Sequence, residues 1–249
     1  MGGSLATRAR PRDVPRRRPR GGTATAFRRG DRSRPARYHS GMPHPTLPAD
    51  TTIGPLELVE FPHPALRRRC QSVVRLDDAL VEAVGRMFDI MYESGGVGLA
   101  ANQVALPYRL FIVNCAGERG TGEELVFVNP TLSRPRGTAV QEEGCLSLPG
   151  VRMDVRRPER VVVDAWALDG TPMHLDLDGL PARVVQHEFD HLEGRLFTDR
   201  LPEAAALEVR RALDSFVEVH AGRQSRGEMP GDETLVAELE RLEAARCRA

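Results

Sequence analysis

The feature that most constrains how this chain can fold is the string Gln186-His187-Glu188-Phe189-Asp190-His191. On a helix, residues i and i+4 share a face, so His187 and His191 can bind the same metal ion. Glu188 lies next to the first of them, where a carboxylate can act as general base on a metal-activated water. The flanking residues are apolar, which predicts a buried helix and a water-poor site. The alternative is two core histidines that are satisfied by hydrogen bonds.

Two histidines do not complete a catalytic site, which usually has three protein ligands and one open position. The candidates for the third ligand include Cys70, Cys115, Cys145 and several carboxylates. Cys145 stands out because Gly144 before it leaves room for another backbone or a ligand. A lone buried cysteine is more often a packing residue, however, so spacing alone leaves the third ligand open. The four cysteines form no C-x-x-C pair, which argues against a zinc ribbon or a disulfide scaffold.

A glycine-rich segment covers residues 95–103 and contains a G-x-G-x-x-A pattern that begins at Gly96. This pattern matches the dinucleotide fingerprint, but a predicted helix precedes it and Pro107 cuts short the helix that should follow. Two interpretations remain. The segment is a tight turn packed on small residues, or it brings the backbone close to a substrate, with Gln103 as a side-chain donor.

Apolar periodicity predicts four helices and a run of strands. The helices are predicted at 77–93, 180–192, 202–219 and 232–246, and the strands at 110–113, 125–128, 160–166 and 172–177. Because the strands come in runs rather than alternating with helices, an α+β fold is favoured over a doubly wound fold. We expect an ordered catalytic domain at 51–220 and a C-terminal extension at 221–249, whose amphipathic helix has no evident partner.

The first 50 residues hold 12 Arg and three Asp, a net charge of +9, while the remaining chain carries −9. They are also rich in Pro and Gly and lack apolar periodicity, so we predict a disordered tail at 1–50. Three interpretations stay open: an organellar targeting peptide, a basic arm that touches RNA or membrane, or a segment without function, including an over-long start before Met42.

Composition excludes several classes of function. The chain contains no lysine, so Schiff-base chemistry and a lysine-bearing phosphate loop are excluded. No apolar run approaches the ~18 residues that a membrane span needs, so no membrane partner is expected.

Three segments together resemble the peptide deformylase family. They are GVGLAANQ at 96–103, EGCLS at 143–147 and QHEFDH at 186–191, in the family's order. The resemblance extends from about Leu56 to Leu201. It implies an α+β fold, with antiparallel β-sheets around a central metal-binding helix and a C-terminal helix outside.

The resemblance implies a metal centre held by Cys145, His187 and His191. One divalent ion per chain is expected, Fe²⁺ natively, with Zn²⁺, Ni²⁺ or Co²⁺ able to replace it. Glu188 would serve as general base and then general acid. The side-chain amide of Gln103 and the backbone N–H of Leu146 would stabilise the developing oxyanion.

The implied substrate is the N-formylmethionyl end of a newly made polypeptide, and formate is released. Val97, Gly98 and Gly144 would pair with its backbone, and Arg152 would face its far end. Arg183 departs from many members of the family, because it puts a charge where a residue of the methionine pocket is commonly apolar. A transient ribosome contact, a monomer and a cytoplasmic location are expected, with organellar targeting as the alternative.

Two other functions compete with this one. A His-Glu-x-x-His metalloprotease would use a carboxylate or His as its third ligand, which the EGCLS string opposes. A structural metal module with a nucleic-acid-binding tail would need a fourth ligand, such as Cys115, to close the site.

Overall fold

The computed structural model describes residues 52–247 and the backbone of Arg28–Arg29. Its strands are β1 Arg28–Arg29, β2 Gly98–Ala100, β3 Leu110–Val113, β4 Leu125–Arg136, β5 Ala139–Cys145, β6 Leu148–Arg157, β7 Arg160–Trp166 and β8 Pro172–Asp178. Its α-helices are α1 Asp78–Glu93, α2 Gly179–Leu192, α3 Glu203–Ser225 and α4 Asp232–Arg246. Short 3-10 helices cover Pro64–Arg67, Ala101–Val104 and Phe197–Arg200.

The strands form two antiparallel sheets, so the predicted α+β class is confirmed. The larger sheet has the order β1-β8-β7-β4-β3-β2, and the smaller sheet is the β5–β6 hairpin. Helix α2 packs against β2, β3, β7 and β8. The helix with the histidine pair therefore lies on the sheet, as a central helix should.

Helix α1 begins and ends where local signals predict. The side chain of Asp77 accepts a hydrogen bond from the backbone N–H of Leu80 at 2.9 Å, which caps the first turn. After Glu93, Gly95 adopts a φ of +70°, a left-handed conformation that glycine accepts without strain. The apolar face of the helix is buried in the core, as predicted.

Helix α2 is the most deeply buried of the helices in the described part of the chain. It runs one residue further toward the N-terminus than predicted. Val185 and Leu192 are fully buried against β7 and β8, in a cluster that includes Val163 and Leu177. Apolar packing thus holds the helix in place while its histidines face another direction.

The β5–β6 hairpin was not predicted from the sequence as a pair of strands. The one buried side chain of β5 is that of Glu143, and Val140 is exposed, so the alternation of apolar and polar residues that marks a half-buried strand is missing. Strand β4 also continues beyond the predicted residue 128 to Arg136, where it pairs with β7.

The C-terminal region differs from the predicted division of the chain. Helix α3 continues to Ser225, so the boundary predicted between residues 220 and 221 falls inside one continuous helix. Helix α4 packs on the 3-10 helix Pro64–Arg67, with Leu242 in the same core cluster as α1. The partner that the sequence left unidentified is thus the body of the protein itself.

The predicted disorder of residues 1–50 lies outside the described residues, except at β1. There the structure differs from the prediction, because Arg28 and Arg29 pair with Asp176 and Leu175 of β8. The backbone groups on that side of β8 have no other strand partner among the described residues. No helix in the described ranges combines the length and the apolar character that crossing a membrane requires.

Candidate metal centre

The structure brings Cys145, His187 and His191 together. One ligand atom from each lies within 4.8 Å of the others, and the Sγ of Cys145 is 3.2 Å from Nε2 of His191. Cys145 ends β5, at a register shift in the hairpin, and the two imidazoles project from one face of α2. Cys70 and Cys115 are not members of this group, which is the one such cluster found among the described residues.

His187 is oriented by a carboxylate that the sequence analysis missed. Its Nδ1 lies 2.9 Å from Oε2 of Glu143, so Nε2 is the ring nitrogen left for a cation. Arg157 donates two further hydrogen bonds to Glu143, at 2.6 and 2.9 Å. Although burial opposes the effect, the hydrogen bonds from His187 and Arg157 lower the pKa of Glu143 well below its usual range. Its place in the EGCLS string was the one sequence signal for this role.

His191 presents the other imidazole through Nε2. Its Nδ1 is buried and has no hydrogen-bond partner among the described residues. Its backbone carbonyl accepts a hydrogen bond from Nδ2 of Asn102 at 2.6 Å. Burial, followed by the charge of His187, lowers the pKa of His191 well below its usual value, which favours the neutral form that binds metals.

Glu188 is buried beside the cluster with one oxygen unused. Its Oε2 has no hydrogen-bond partner in the described part of the chain, and the residue is 4% exposed. Burial raises the pKa of this carboxyl to about 7, although the charges of His187 and Arg157 oppose the shift. A carboxyl group with a free oxygen and such a pKa is suited to accept and return a proton near neutral pH.

Gln103 points its amide at the same place. Its Oε1 accepts a hydrogen bond from the backbone N–H of Ala100 at 2.8 Å, which orients the side chain. Its Nε2 lies 3.5 Å from Sγ of Cys145 and 3.2 Å from Oγ of Ser147. The amide N–H group is therefore a donor directly beside the candidate ligand cluster.

The residues predicted to bind the substrate lie on two edges. Gly98 is in β2, the edge strand of the larger sheet, and Val97 precedes it. Gly144 is in β5, and Leu146 follows in the turn of the hairpin. The Leu146 side chain reaches the segment that precedes β2, because a Cβ at Gly96 would lie 2.8 Å from its Cδ1.

Arg152 is not part of the cluster. It lies opposite Gly144 in the hairpin, its side chain is 68% exposed, and its Nη1 is 3.4 Å from Oε1 of Glu142. Its side chain lies over Gly144, because a Cβ there would be 3.4 Å from Cγ of Arg152.

The donor set fits a catalytic transition-metal ion. One thiolate and two imidazoles suit Fe²⁺, Zn²⁺, Ni²⁺ and Co²⁺. Three protein ligands with a buried, unpaired carboxylate oxygen alongside resemble a site that keeps one position open, rather than a closed structural site.

Comparison with known proteins agrees with this geometry. A family model described as polypeptide deformylase matches residues 55–206. The peptide deformylase of Rhodopirellula baltica is 42% identical over 190 residues, which are 76% of this chain and 94% of that protein. The chloroplastic peptide deformylase 1B of Solanum lycopersicum is 48% identical over 168 residues, which are 67% of this chain and 60% of that protein.

Solved structures of similar fold carry the same family name. A crystal structure of a mutant of Arabidopsis thaliana peptide deformylase 1B matches with a TM-score of 0.65 and 38% identity, over 70% of this chain and 96% of that one. A crystal structure of Plasmodium falciparum peptide deformylase matches with a TM-score of 0.64 and 38% identity, over 67% of this chain and 98% of that one.

Proposed function

The chain belongs to the polypeptide deformylase family, and on this basis we propose that it hydrolyses the N-terminal formamide of formylmethionyl peptides at the Cys145, His187 and His191 centre. The observation that carries the proposal is the buried Oε2 of Glu188, the residue next to His187, which has no hydrogen-bond partner among the described residues. Peptide deformylases remove the formyl group from nascent chains, and this chain is such a hydrolase.

Cys145, His187 and His191 would hold a cation that serves as a Lewis acid. A divalent cation held there would polarise the formyl oxygen and lower the pKa of a coordinated water from ~15.7 toward ~7. Fe²⁺ is the ion we expect, and Zn²⁺, Ni²⁺ or Co²⁺ would suit the same donors. Cys145 contributes one negative charge, so a divalent cation with its three protein ligands would carry a net charge of +1. This would lower the acidity of a coordinated water relative to an all-imidazole site and increase the importance of a protein base.

Glu188 is that base. Its carboxylate accepts a proton from the attacking water and then delivers a proton to the departing amine, which releases formate and a free peptide N-terminus. The raised pKa of the carboxyl, about 7, suits both transfers. The Nε2 of Gln103 and the backbone N–H of Leu146 donate to the oxygen on which negative charge develops.

The peptide lies between the two edges already described. Backbone groups of Val97 and Gly98 on one side, and of Gly144 on the other, pair with it as with an added strand. The exposed Arg152, opposite Gly144 in the hairpin, contacts the substrate beyond its first residues. The partners that we propose are nascent formylmethionyl chains. We also propose that the enzyme is a monomer and that it contacts the ribosome transiently.

The location of the enzyme follows that of its substrates. We propose the cytoplasm, with organellar targeting by the Arg-rich segment 1–50 as the alternative. Fractionation of the native host with an antibody to the folded domain separates the two.

The decisive experiment is a deformylation assay on formyl-Met-Ala-Ser, with anaerobically purified, iron-loaded protein and with a Glu188→Gln variant. We expect turnover by the wild type, a loss of at least about 100-fold in the variant, and equal metal content in both. A metal-loaded variant with near wild-type turnover refutes the role of Glu188. A wild type that cleaves casein but not the formyl peptide refutes the function.

A further inference from the structure

Arg183 is buried next to the metal centre, although the sequence suggested a place in the substrate's side-chain pocket. It lies on α2 one turn before His187 and is 6% exposed. Its guanidinium makes three hydrogen bonds within the protein. Nη1 donates to Oε1 of Glu143 at 2.5 Å and to the carbonyl of Val155 at 3.1 Å, and Nη2 donates to the carbonyl of Ala139 at 2.9 Å.

These contacts join α2 to the β5–β6 hairpin. Ala139 begins β5 and Val155 lies in β6, so one side chain holds both strands of the hairpin. The three candidate ligands come from only this hairpin and α2, with Cys145 at the other end of β5. The distance between hairpin and helix therefore sets the distance between sulfur and imidazole nitrogens.

Arg183 also restricts the orientation of the Glu143 carboxylate. The Oε1 of Glu143 accepts hydrogen bonds from Arg157 and Arg183, and its Oε2 faces Arg157 and Nδ1 of His187. Arg157, which is 1% exposed, comes from β6 and also binds Asp190. Arg183 is the cation on the helix itself, so its hold on Oε1 keeps the carboxylate turned with Oε2 toward the imidazole.

We propose that Arg183 is a positioning residue for the metal centre, which clamps the β5–β6 hairpin to α2 and orients Glu143 so that His187 presents Nε2 to the cation. The inference rests on the proposed function and extends it to a residue outside the ligand set. It also removes the charge of Arg183 from the substrate pocket, because the guanidinium faces the hairpin.

The test compares Arg183→Leu and Arg183→Lys with Arg160→Leu, a control on β7 whose guanidinium is half-exposed and lies 3.6 Å from Asp176. Each protein is titrated with Co²⁺ against a competing chelator, and the visible spectrum of the cobalt-loaded form is recorded. We expect Arg183→Leu to bind Co²⁺ about 10- to 100-fold more weakly, with an altered thiolate-to-cobalt band. The control should match the wild type.

Arg183→Lys keeps the positive charge but replaces the planar guanidinium with a single donor nitrogen. Its affinity for Co²⁺ should therefore lie between those of the wild type and the leucine variant. This variant keeps the inference open to refutation if Arg183→Leu does not fold. Folded variants with unchanged cobalt affinity and spectrum overturn the clamp. A raised KM with unchanged cobalt binding also overturns it, in favour of a residue of the substrate pocket.

Loss of the metal site and loss of the Arg183 clamp give different results. A wild type that binds no Co²⁺ refutes the proposed metal site, and the clamp with it. A wild type that binds Co²⁺ and deformylates, beside Arg183 variants that do the same with equal affinity, refutes the clamp alone.

Discussion

The backbone of Gly98 forms the wall against which the carboxylate of Glu188 is held. A Cβ at residue 98 would lie 2.6 Å from Oε1 of Glu188 and 2.8 Å from Cγ1 of Val184. Neither atom can yield easily, because both belong to buried side chains of α2. The glycine in β2 therefore serves the proposed base as well as the proposed substrate strand.

Gly98→Ala should reduce kcat by about 100-fold, because a displacement of Glu188 by even 1 Å misplaces the general base. Gly85→Ala is the matched control, since a Cβ there meets nothing within 4 Å and the residue lies within α1. The control should keep full activity and gain about 0.5–1 kcal/mol of stability. Turnover on the formyl peptide and thermal unfolding measure both effects, and equal activity of the two variants would contradict the packing argument.

Activity should fall on the acid side as Glu188 becomes protonated. Burial raises the pKa of this carboxyl from 4.5 to about 7, and a bound cation would lower it again. We therefore expect kcat/KM to rise with pH and then level off, with an apparent pKa above 4.5 and no higher than about 7. At pH values below this pKa, kcat/KM should fall about tenfold for each pH unit. A profile that is flat from pH 8 down to below 5 would exclude Glu188 as the base.

Cys145→Ser should weaken metal retention, because a hydroxyl stays protonated where a thiol ionises on binding. Cys115→Ser is the control, since that thiol lies outside the ligand cluster and burial raises its pKa to about 11. Metal content after dialysis, measured by plasma emission, should drop in the first variant only. Equal retention would reject Cys145 as a ligand.

His63 should make the fold sensitive to acid. Burial, and then the charge of His220, lowers the pKa of His63 from 6.5 to about 4, and its Nδ1 caps the 3-10 helix by accepting from Ala65 N–H. The folded state thus binds this proton less tightly than the unfolded state. The stability is fully present above pH 6.5 and is lost as the pH falls toward 4. The shift corresponds to about 3 kcal/mol at most.

His63→Asn keeps a capping acceptor but does not titrate. Urea unfolding at pH 7.0, 5.5 and 4.5 should show a steeper loss of stability in the wild type than in the variant. Parallel pH dependence of the two proteins would mean that other groups cause the acid sensitivity.

The ion pair between Glu243 of α4 and Arg68 can be tested by comparison with Glu240, a second acid near the same arginine. Glu243 is 4% exposed and binds Arg68 with two hydrogen bonds, at 2.7 and 2.8 Å, whereas Glu240 has a side chain 59% exposed and lies 3.8 Å away. Glu243→Gln should cost roughly 1–3 kcal/mol of unfolding free energy, because it removes the charge from a part-buried pair joined by two hydrogen bonds. Glu240→Gln should cost less than about 0.5 kcal/mol. Similar losses of unfolding free energy in the two variants, measured by chemical denaturation, would argue against a specific role of the Glu243–Arg68 pair.

The sequence predicted what depends on neighbours along the chain. Helix α1 and strand β7 lie within a residue of their expected bounds, because periodicity and capping residues act locally. The pairing of His187 with His191 on one face of α2 has the same origin, since a helical turn brings residues four apart together. The family resemblance rested on short strings of this kind.

Local sequence patterns do not predict the β5–β6 hairpin. The one buried side chain of β5 is the charged Glu143 and its Val140 is exposed, so the strand character of β5 comes from backbone pairing with β6 and not from a buried apolar face. The end of α3 was misplaced for a related reason, because an exposed helix carries a weak apolar stripe.

Sequence alone, then, determined the helical histidine pair, the adjacent acid and the class of the fold, since each follows from spacings of a few residues. The family resemblance implied Cys145 as the third ligand, but only the tertiary structure showed that its sulfur, 46 residues before His191, lies beside the imidazoles, and that Glu143 and Arg183 bind around them. Contacts between distant segments depend on how the hairpin packs on the helix, and no local periodicity encodes that packing.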